Sequence, residues 1–238
     1  MMIGALRRAG SAALDLLLAQ DCFLCAEASG ASLLCAGCRA ALRPNGPSCP
    51  VCALPTPDAQ ICGYCLKRPP PFDASVAAFS YSHPADALLQ AYKFAGRIEL
   101  AGLFGHALHA AVADAGSIRP DVIVPVPLHP ERLKSRGFNQ AALVAQVLAR
   151  AFGLPLDYRL LERIAPTAAQ AGLNLRQRRR NLRGAFMAHD ATGMSIALVD
   201  DVMTSGTTLT ECALRLKQRG ASRVSCWVVA RTPPPRRQ

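Results

Sequence analysis

Ile196-Ala197-Leu198-Val199-Asp200-Asp201-Val202-Met203-Thr204-Ser205-Gly206-Thr207-Thr208 decides the fold. An apolar run ends in two adjacent carboxylates, and a short hydroxyl-rich loop with one glycine follows. From Leu209 to Arg219 the residues Cys212, Ala213 and Leu216 share one helix face, and Gly220 stands where a C-cap belongs. A second apolar run, Val224 to Ala230, comes next. The order strand, loop, helix, strand predicts parallel strands joined by a right-handed crossover, hence an α/β fold.

The loop lies at the carboxyl end of a buried strand and opens a helix. Backbone N–H groups there lack helical partners, and the helix dipole favours an anion. Gly206 lets the backbone turn tightly around a bound group. Thr204, Ser205, Thr207 and Thr208 add hydroxyl donors, so a phosphate monoester fits. Asp200 and Asp201 repel phosphate, but they suit sugar hydroxyls as acceptors, or a divalent cation held by those hydroxyls. The loop therefore predicts a 5-phosphorylated ribose, with phosphate in the loop and two hydroxyls on the acid pair. The competing reading is an ordinary turn in which Asp and Thr serve as caps. These thirteen residues resemble the phosphoribosyl-pyrophosphate signature of type I phosphoribosyltransferases.

The chain has 238 residues, 51% hydrophobic and 18% charged, which allows a proper core and argues against disorder. Net charge is +11, and +8 of it lies between Pro130 and Arg183, where eleven basic residues face three acidic ones. Such a stretch can serve a pyrophosphate or a nucleic-acid backbone. No run approaches the ~18 apolar residues of a membrane span. Arg7-Arg8 ahead of an apolar stretch mimics a signal peptide, but Asp15 interrupts it. Leu14, Leu17 and Leu18 are spaced for one face of a short amphipathic helix over residues 1–20.

Eight of the ten cysteines form four C-x-x-C pairs: Cys22/Cys25, Cys35/Cys38, Cys49/Cys52 and Cys62/Cys65. Two such knuckles supply four thiolates for one tetrahedral zinc, so eight supply two. The intervening sequence is rich in Gly and Pro and offers little apolar core, so metal is expected to fold residues 21–68. Disulfides would need an oxidising compartment, and a redox centre would need one C-x-x-C in a βαβ setting. Sequential sites, with Cys22, Cys25, Cys35 and Cys38 apart from the other four, are the simplest pairing. A cross-braced arrangement stays open. Cys212 and Cys226 read as core thiols.

Lys67-Arg68-Pro69-Pro70-Pro71 is a stiff boundary, and a second domain is expected over 72–238. Ser75 to Tyr81 reads as a strand, and Ala85 to Phe94 and Glu99 to Ala113 as helices. They flank the basic patch Lys93-Phe94-Ala95-Gly96-Arg97, either an anion contact or a solvated helix end. Asp121 to Pro127 is another apolar strand, stopped by prolines at the end where open α/β sheets place ligands. The following segment carries Arg132, Lys134 and Arg136 as a loop ahead of a helix ending near Phe152, a second anion site. His129 reads either as a base or as a turn-shaping residue. Thr167 to Arg183 is polar and basic, and reads as a flap over a leaving pyrophosphate or as a solvated helix.

Together these features resemble the ComF competence-protein family nearly end to end. The resemblance rests on the four C-x-x-C knuckles, Pro69-Pro70-Pro71-Phe72-Asp73, Tyr92-Lys93-Phe94 and Pro125-Val126-Pro127-Leu128-His129-Pro130. It also rests on Arg136-Gly137-Phe138-Asn139-Gln140, Gln170, Arg178-Arg179-Arg180-Asn181, Arg183-Gly184-Ala185-Phe186 and the loop at 200–208. It implies a double zinc ribbon joined to a type I phosphoribosyltransferase-like parallel-sheet domain, with about two structural zinc ions. It further implies phosphoribosyl pyrophosphate held with Mg²⁺ by Asp200, Asp201, Thr204, Ser205, Gly206, Thr207 and Thr208. The pyrophosphate end would fall to Lys93, Leu128, Arg136, Arg176 and Arg180. Members are associated with DNA uptake in natural transformation and act in the cytoplasm on incoming single strands. Ser205 stands where Thr is common, and the sequence lacks the N-terminal nucleophile cysteine and glutaminase domain of amidophosphoribosyltransferases. Two functions follow: a pentosyl-transferring enzyme with an unnamed acceptor, or a non-catalytic single-stranded DNA-binding factor using zinc ribbon and basic face.

Overall fold

The computed structural model describes residues 20–165 and 182–233. The helix expected over 1–20 lies almost wholly outside them, as do Arg176, Arg180 and most of the arginine-rich stretch. The first knuckle region has strands β1 (Gln20–Asp21) and β2 (Ala28–Gly30) and helix α1 (Ala36–Ala40). The second carries helix α2 (Gly63–Lys67). Then come β3 (Ala74–Ser80), α3 (Ala85–Phe94), α4 (Leu100–Asp114), β4 (Val122–Pro125), α5 (Pro130–Arg136) and α6 (Gln140–Phe152). The chain continues through β5 (Leu161–Arg163), β6 (Phe186–Ala188), β7 (Ser195–Met203), α7 (Thr207–Gln218) and β8 (Arg223–Arg231).

Strands β3, β8, β7 and β4 form a four-stranded sheet in that order, and every pair is parallel. The two longest, β7 and β8, are the continuous apolar runs of the sequence, because helices cover both of their faces. Alternate residues go to opposite faces. Ile196, Leu198, Val224, Cys226 and Val228 meet Leu209, Cys212, Ala213 and Leu216 of α7. Ala197, Val199, Trp227 and Val229 meet helices α3, α4 and α6 through Leu88, Phe104, Leu108, Val144 and Leu148. Cys212 and Cys226 are buried core thiols, as expected. Asp73 and Asp121 fix the strand starts by accepting from Val224 N (2.7 Å) and Ser195 N (2.8 Å).

The cysteine-rich segment is not a separate body. Its chain runs along the free edge of β3: Asn45 N donates to Ala78 O at 3.1 Å, and Ser80 N donates to Arg43 O at 3.2 Å. This caps an edge that would otherwise offer unpaired backbone groups. Cys49, Cys52, Ala53 and Cys65 are buried in the same cluster as Leu198 and Val228, while Cys22, Leu34 and Leu42 join the cluster on the other face. The boundary expected at residues 67–71 does not separate two cores. With few apolar residues of its own, the ribbon wedges its buried knuckles against the sheet domain. Among the described residues no helix is long and apolar enough to cross a membrane.

Candidate functional site

Asp200 and Asp201 lie near the carboxyl end of β7. Asp200 Oδ1 accepts from Asp201 N at 2.9 Å, which holds the first carboxylate against the second residue's backbone. Asp201 is 8% exposed, and its Oδ1 lies 2.9 Å from Lys93 Nζ, at the last turn of α3. Burial, followed by the Asp201 charge, pushes Asp200 up to about 7. Lys93, the Asp201 N–H and Arg163 oppose that rise without cancelling it. Two adjacent carboxylates in one buried corner cannot both ionise freely.

The phosphate-type loop follows directly. Gly206 has φ +74° and is the N-cap of α7; it has no side chain to cap the helix, and Ser205 Oγ accepts from Thr207 N at 3.4 Å. A Cβ there would come within 3.2 Å of Met203 Cε, so glycine serves both the turn and the fit. Ser205 and Thr207 hydroxyls lie 2.8 Å apart. The loop combines a helix start with a cluster of hydroxyls, a favourable seat for a phosphate. Thr204 and Thr208 line the adjoining cleft; Ser205, Gly206 and Thr207 form the loop beside it.

The facing wall comes from the end of β4 and the segment after it. The expected basic loop is in fact helix α5, because Pro130 suits a first helical position and His129 Nδ1 accepts from Glu131 N at 3.4 Å. His129 thus shapes the turn. Arg136 ends α5, and each residue of Arg136-Gly137-Phe138-Asn139-Gln140 has a distinct job. Gly137 adopts the left-handed conformation (φ +83°). Phe138 packs on Tyr92, ring centroids 6.1 Å apart. Asn139 caps α6 through Ala142 N and donates to Val126 O at 3.1 Å, tying the helix start to the strand end. Gln140, 2% exposed, accepts from Arg136 Nη1 at 2.9 Å, and its backbone carbonyl accepts from Tyr92 OH at 2.9 Å. Its Nε2 has no hydrogen-bond partner among the described residues. Arg136 also lies 5.6 Å from the centre of the Phe94 ring, and Phe94 stands 76% exposed at the mouth.

These parts enclose an open cleft of ≈ 290 Å³. Lys93, Leu128, Arg136, Asp200, Asp201, Thr204 and Thr208 all line it, so the structure brings the acid pair, two loop hydroxyls and three of the residues expected at the pyrophosphate end to one place. Arg176 and Arg180 lie outside the described residues. Lys134 is exposed and does not line the cleft. Arg163, on the end of β5, lines it and was missed by the sequence reading. Its signal was a single cation in the short run Leu160 to Ile164. Burial, then the neighbouring Arg132 cation, holds Arg163 and Arg136 below the usual arginine range. Four cations (Lys93, Arg132, Arg136, Arg163) thus face two carboxylates, one of which resists ionisation. That excess of positive charge suits an anion.

The eight knuckle cysteines form two sequential sets, Cys22, Cys25, Cys35, Cys38 and Cys49, Cys52, Cys62, Cys65, with sulfurs in each set within 4.8 Å of one another. The cross-braced pairing is excluded by this grouping. Cys25 and Cys35 sulfurs lie 3.7 Å apart, and those of Cys52 and Cys62 3.6 Å. Four thiolates at ~2.3 Å from a tetrahedral zinc would be about 3.8 Å apart, so the sulfur spacing fits. Burial raises the Cys22 thiol, but backbone N–H groups of Cys35, Cys25 and Leu24 outweigh it and bring it down to about 6. Cys49 falls to about 7 by the same balance with Cys62, Cys52 and Val51 N–H groups. In each set one cysteine is thus held toward thiolate, the metal-binding form, while crowding with neighbouring sulfurs pushes Cys38 up in the first set, and burial followed by such crowding pushes Cys65 up in the second. All ten cysteines are unbridged.

Residues 13–66 match the double zinc ribbon domain family, and residues 133–237 match the phosphoribosyl transferase domain family. The chain is 38% identical over 205 residues to DNA utilization protein YhgH of Salmonella typhimurium, covering 84% of this chain and 90% of that protein. It is 35% identical over 207 residues to Competence protein F of Haemophilus influenzae, covering 83% and 90%. Competence protein ComFC of Bacillus subtilis is 28% identical over 207 residues, 84% of each chain. Among solved structures, a glutamine phosphoribosylpyrophosphate amidotransferase from B. subtilis is similar with TM-score 0.37 and 20% identity. That match covers 55% of this chain and 26% of the amidotransferase. A purine phosphoribosyltransferase from Pyrococcus horikoshii matches with TM-score 0.33 and 18% identity over 54% of this chain and 70% of that one.

Proposed function

The chain belongs to the family of Competence protein F and DNA utilization protein YhgH, and on that premise we propose that its cleft binds phosphoribosyl pyrophosphate in the service of DNA uptake. One observation carries the reading: the acid pair, the phosphate-type loop and a wall of four cations converge on one cleft. In this assignment the 5-phosphate sits at Thr204, Ser205, Gly206, Thr207 and Thr208. The two ribose hydroxyls donate to Asp200 and Asp201. The pyrophosphate meets Lys93, Arg136 and the backbone around Leu128, with Arg176 and Arg180 as further contacts. We keep residues 21–68 as the ribbon and 72–238 as the ligand-binding part, although the two share cores.

The acid pair is not itself a vacant cation site, because Asp201 already has Lys93 and Asp200 resists ionisation. Mg²⁺ is therefore assigned to the ligand's pyrophosphate, where it would offset charge on the leaving group. In transfer, the bond from ribose C1 to the pyrophosphate oxygen breaks, its electron pair leaves with pyrophosphate, and C1 bonds to the acceptor. This chain's residues would hold the ribose and stabilise the charge on the departing group. The zinc ions are structural: each would offset part of the charge of four crowded thiolates and close a knuckle pair.

Calorimetric titration with phosphoribosyl pyrophosphate and Mg²⁺ tests the binding, and a screen of bases and amines for pyrophosphate release tests transfer. Saturable binding that Asp201→Asn removes supports the reading. Salt-sensitive binding of single-stranded DNA with no response to phosphoribosyl pyrophosphate would replace it with the binding-factor function.

A further inference from the structure

Arg231 closes β8 and is 5% exposed. Its Nε donates to Cys52 O at 2.8 Å. Its Nη1 donates to Met203 O at 2.7 Å, to Thr232 O at 2.9 Å and to Thr204 O. One guanidinium thus joins the turn of the second knuckle pair to the first carbonyls of the phosphate-type loop. A buried guanidinium ordinarily needs an anion. Among the described residues the acceptors of Arg231 are all neutral carbonyls, and one of them, Cys52 O, belongs to a member of the second cysteine set. A zinc held by four thiolates would keep a net charge of about −2, so a loaded cluster would supply a counter-charge beside Arg231.

The peptide geometry says what this does to the loop. In a trans planar peptide the C=O and the next N–H point in opposite directions. With Met203 O and Thr204 O turned onto Arg231, the N–H groups of Thr204 and Ser205 point away from the guanidinium and out of the core. Among the described residues the first cysteine cluster has no comparable link: its buried member, Cys22, packs on the other face of the sheet.

We propose that the second cysteine cluster and the phosphate-type loop form one unit joined by Arg231. Metal at Cys49, Cys52, Cys62 and Cys65 then sets the loop's shape, and metal at Cys22, Cys25, Cys35 and Cys38 does not. Arg231 is a positioning residue, acting through the loop backbone. The consequence for affinity rests on the reading that the loop holds a ribose 5-phosphate; the coupling of loop to cluster does not. Loss of metal from the second cluster would loosen the ligand site and make this a metal-responsive binding protein.

The test uses the full chain and two readouts, amide hydrogen exchange over residues 203–208 and titration with ribose 5-phosphate. Arg231→Gln is expected to speed loop exchange and weaken ribose 5-phosphate by ~10-fold or more while both zinc ions stay bound. Cys62→Ser, which removes a ligand of the second zinc, should likewise speed loop exchange and weaken ribose 5-phosphate, Cys35→Ser should do neither, and Arg231→Gln with Cys62→Ser should lose no more than either alone. Should Cys62→Ser fail to fold, Arg231→Gln beside Cys35→Ser still decides. A parental exchange rate in Arg231→Gln, or equal acceleration from damage to either cluster, overturns the coupling. A parent that never binds ribose 5-phosphate, with the exchange asymmetry intact, sinks the ribose reading and leaves the coupling standing.

Discussion

Lys93 Nζ lies 2.9 Å from Asp201 Oδ1, across the gap between the last turn of α3 and the end of β7. Tyr92, one residue earlier, is anchored to the Gln140 carbonyl, so the lysine projects from a fixed helix end. The Lys93 cation also opposes the rise of Asp200. Lys93→Gln removes that cation and leaves the two carboxylates facing each other. Affinity for phosphoribosyl pyrophosphate is expected to fall by ~10- to 150-fold, the worth of one charged hydrogen bond. Calorimetric titration reads it, and an unchanged dissociation constant would remove Lys93 from the site.

Arg136 separates the two ends of the ligand. It is held by Gln140 Oε1 and the Phe94 ring at the wall opposite the phosphate-type loop. Arg136→Ala is expected to cost phosphoribosyl pyrophosphate ~10-fold or more and ribose 5-phosphate little, since only the former reaches that wall. Equal losses for the two ligands would refute the pyrophosphate assignment.

Elemental analysis of protein purified without added metal is expected to give two zinc ions per chain. Cys49 is fully buried against the same cluster as Leu198 and Val228. Cys49→Ser should therefore lower the melting temperature of the whole described body, in one calorimetric transition. Two resolved transitions, one at the parental temperature, would restore the idea of independent cores.

Much of the site could be read from residue order alone. The strand-to-loop signature at 196–208 has local periodicity and a local chemical logic, and both survive folding: β7, Gly206 and α7 stand where the pattern puts them. The C-x-x-C spacing likewise fixes two sequential clusters. What escaped depends on contacts between distant segments. Arg163 enters the cleft only because the antiparallel β5–β6 pair packs beside α7, and nothing near residue 163 signals that. Arg231 looks like the polar end of an apolar strand, yet its partners lie 28 and 179 residues away. The shared core was hidden for the same reason. A segment poor in apolar residues reads as self-contained, while its few buried side chains are spent on the sheet.

Asp200 gives the sharpest pH test. Its folded value stands near 7, against 3.8 for an ordinary aspartate, because burial and the Asp201 charge both disfavour ionisation. An acid raised on folding contributes stability that is full below the unfolded value and is lost as pH rises through the folded one. The parent and Asp200→Asn should thus melt alike near pH 4, and the variant should melt higher at pH 8. Ligand binding runs the other way. Ribose hydroxyls donate best to a charged carboxylate, so phosphoribosyl pyrophosphate should drive Asp200 to ionise and release a proton. One pKa unit is worth a factor of ten, so parental affinity should rise about tenfold from pH 6 to pH 8 beyond the ligand's own titration. Asp200→Asn should bind more weakly throughout and lose that extra dependence. Titrations in two buffers of different ionisation enthalpy count the proton directly. A parent that releases none, or a variant with the parental pH profile, would mean that the Asp200 carboxylate does not meet the ribose.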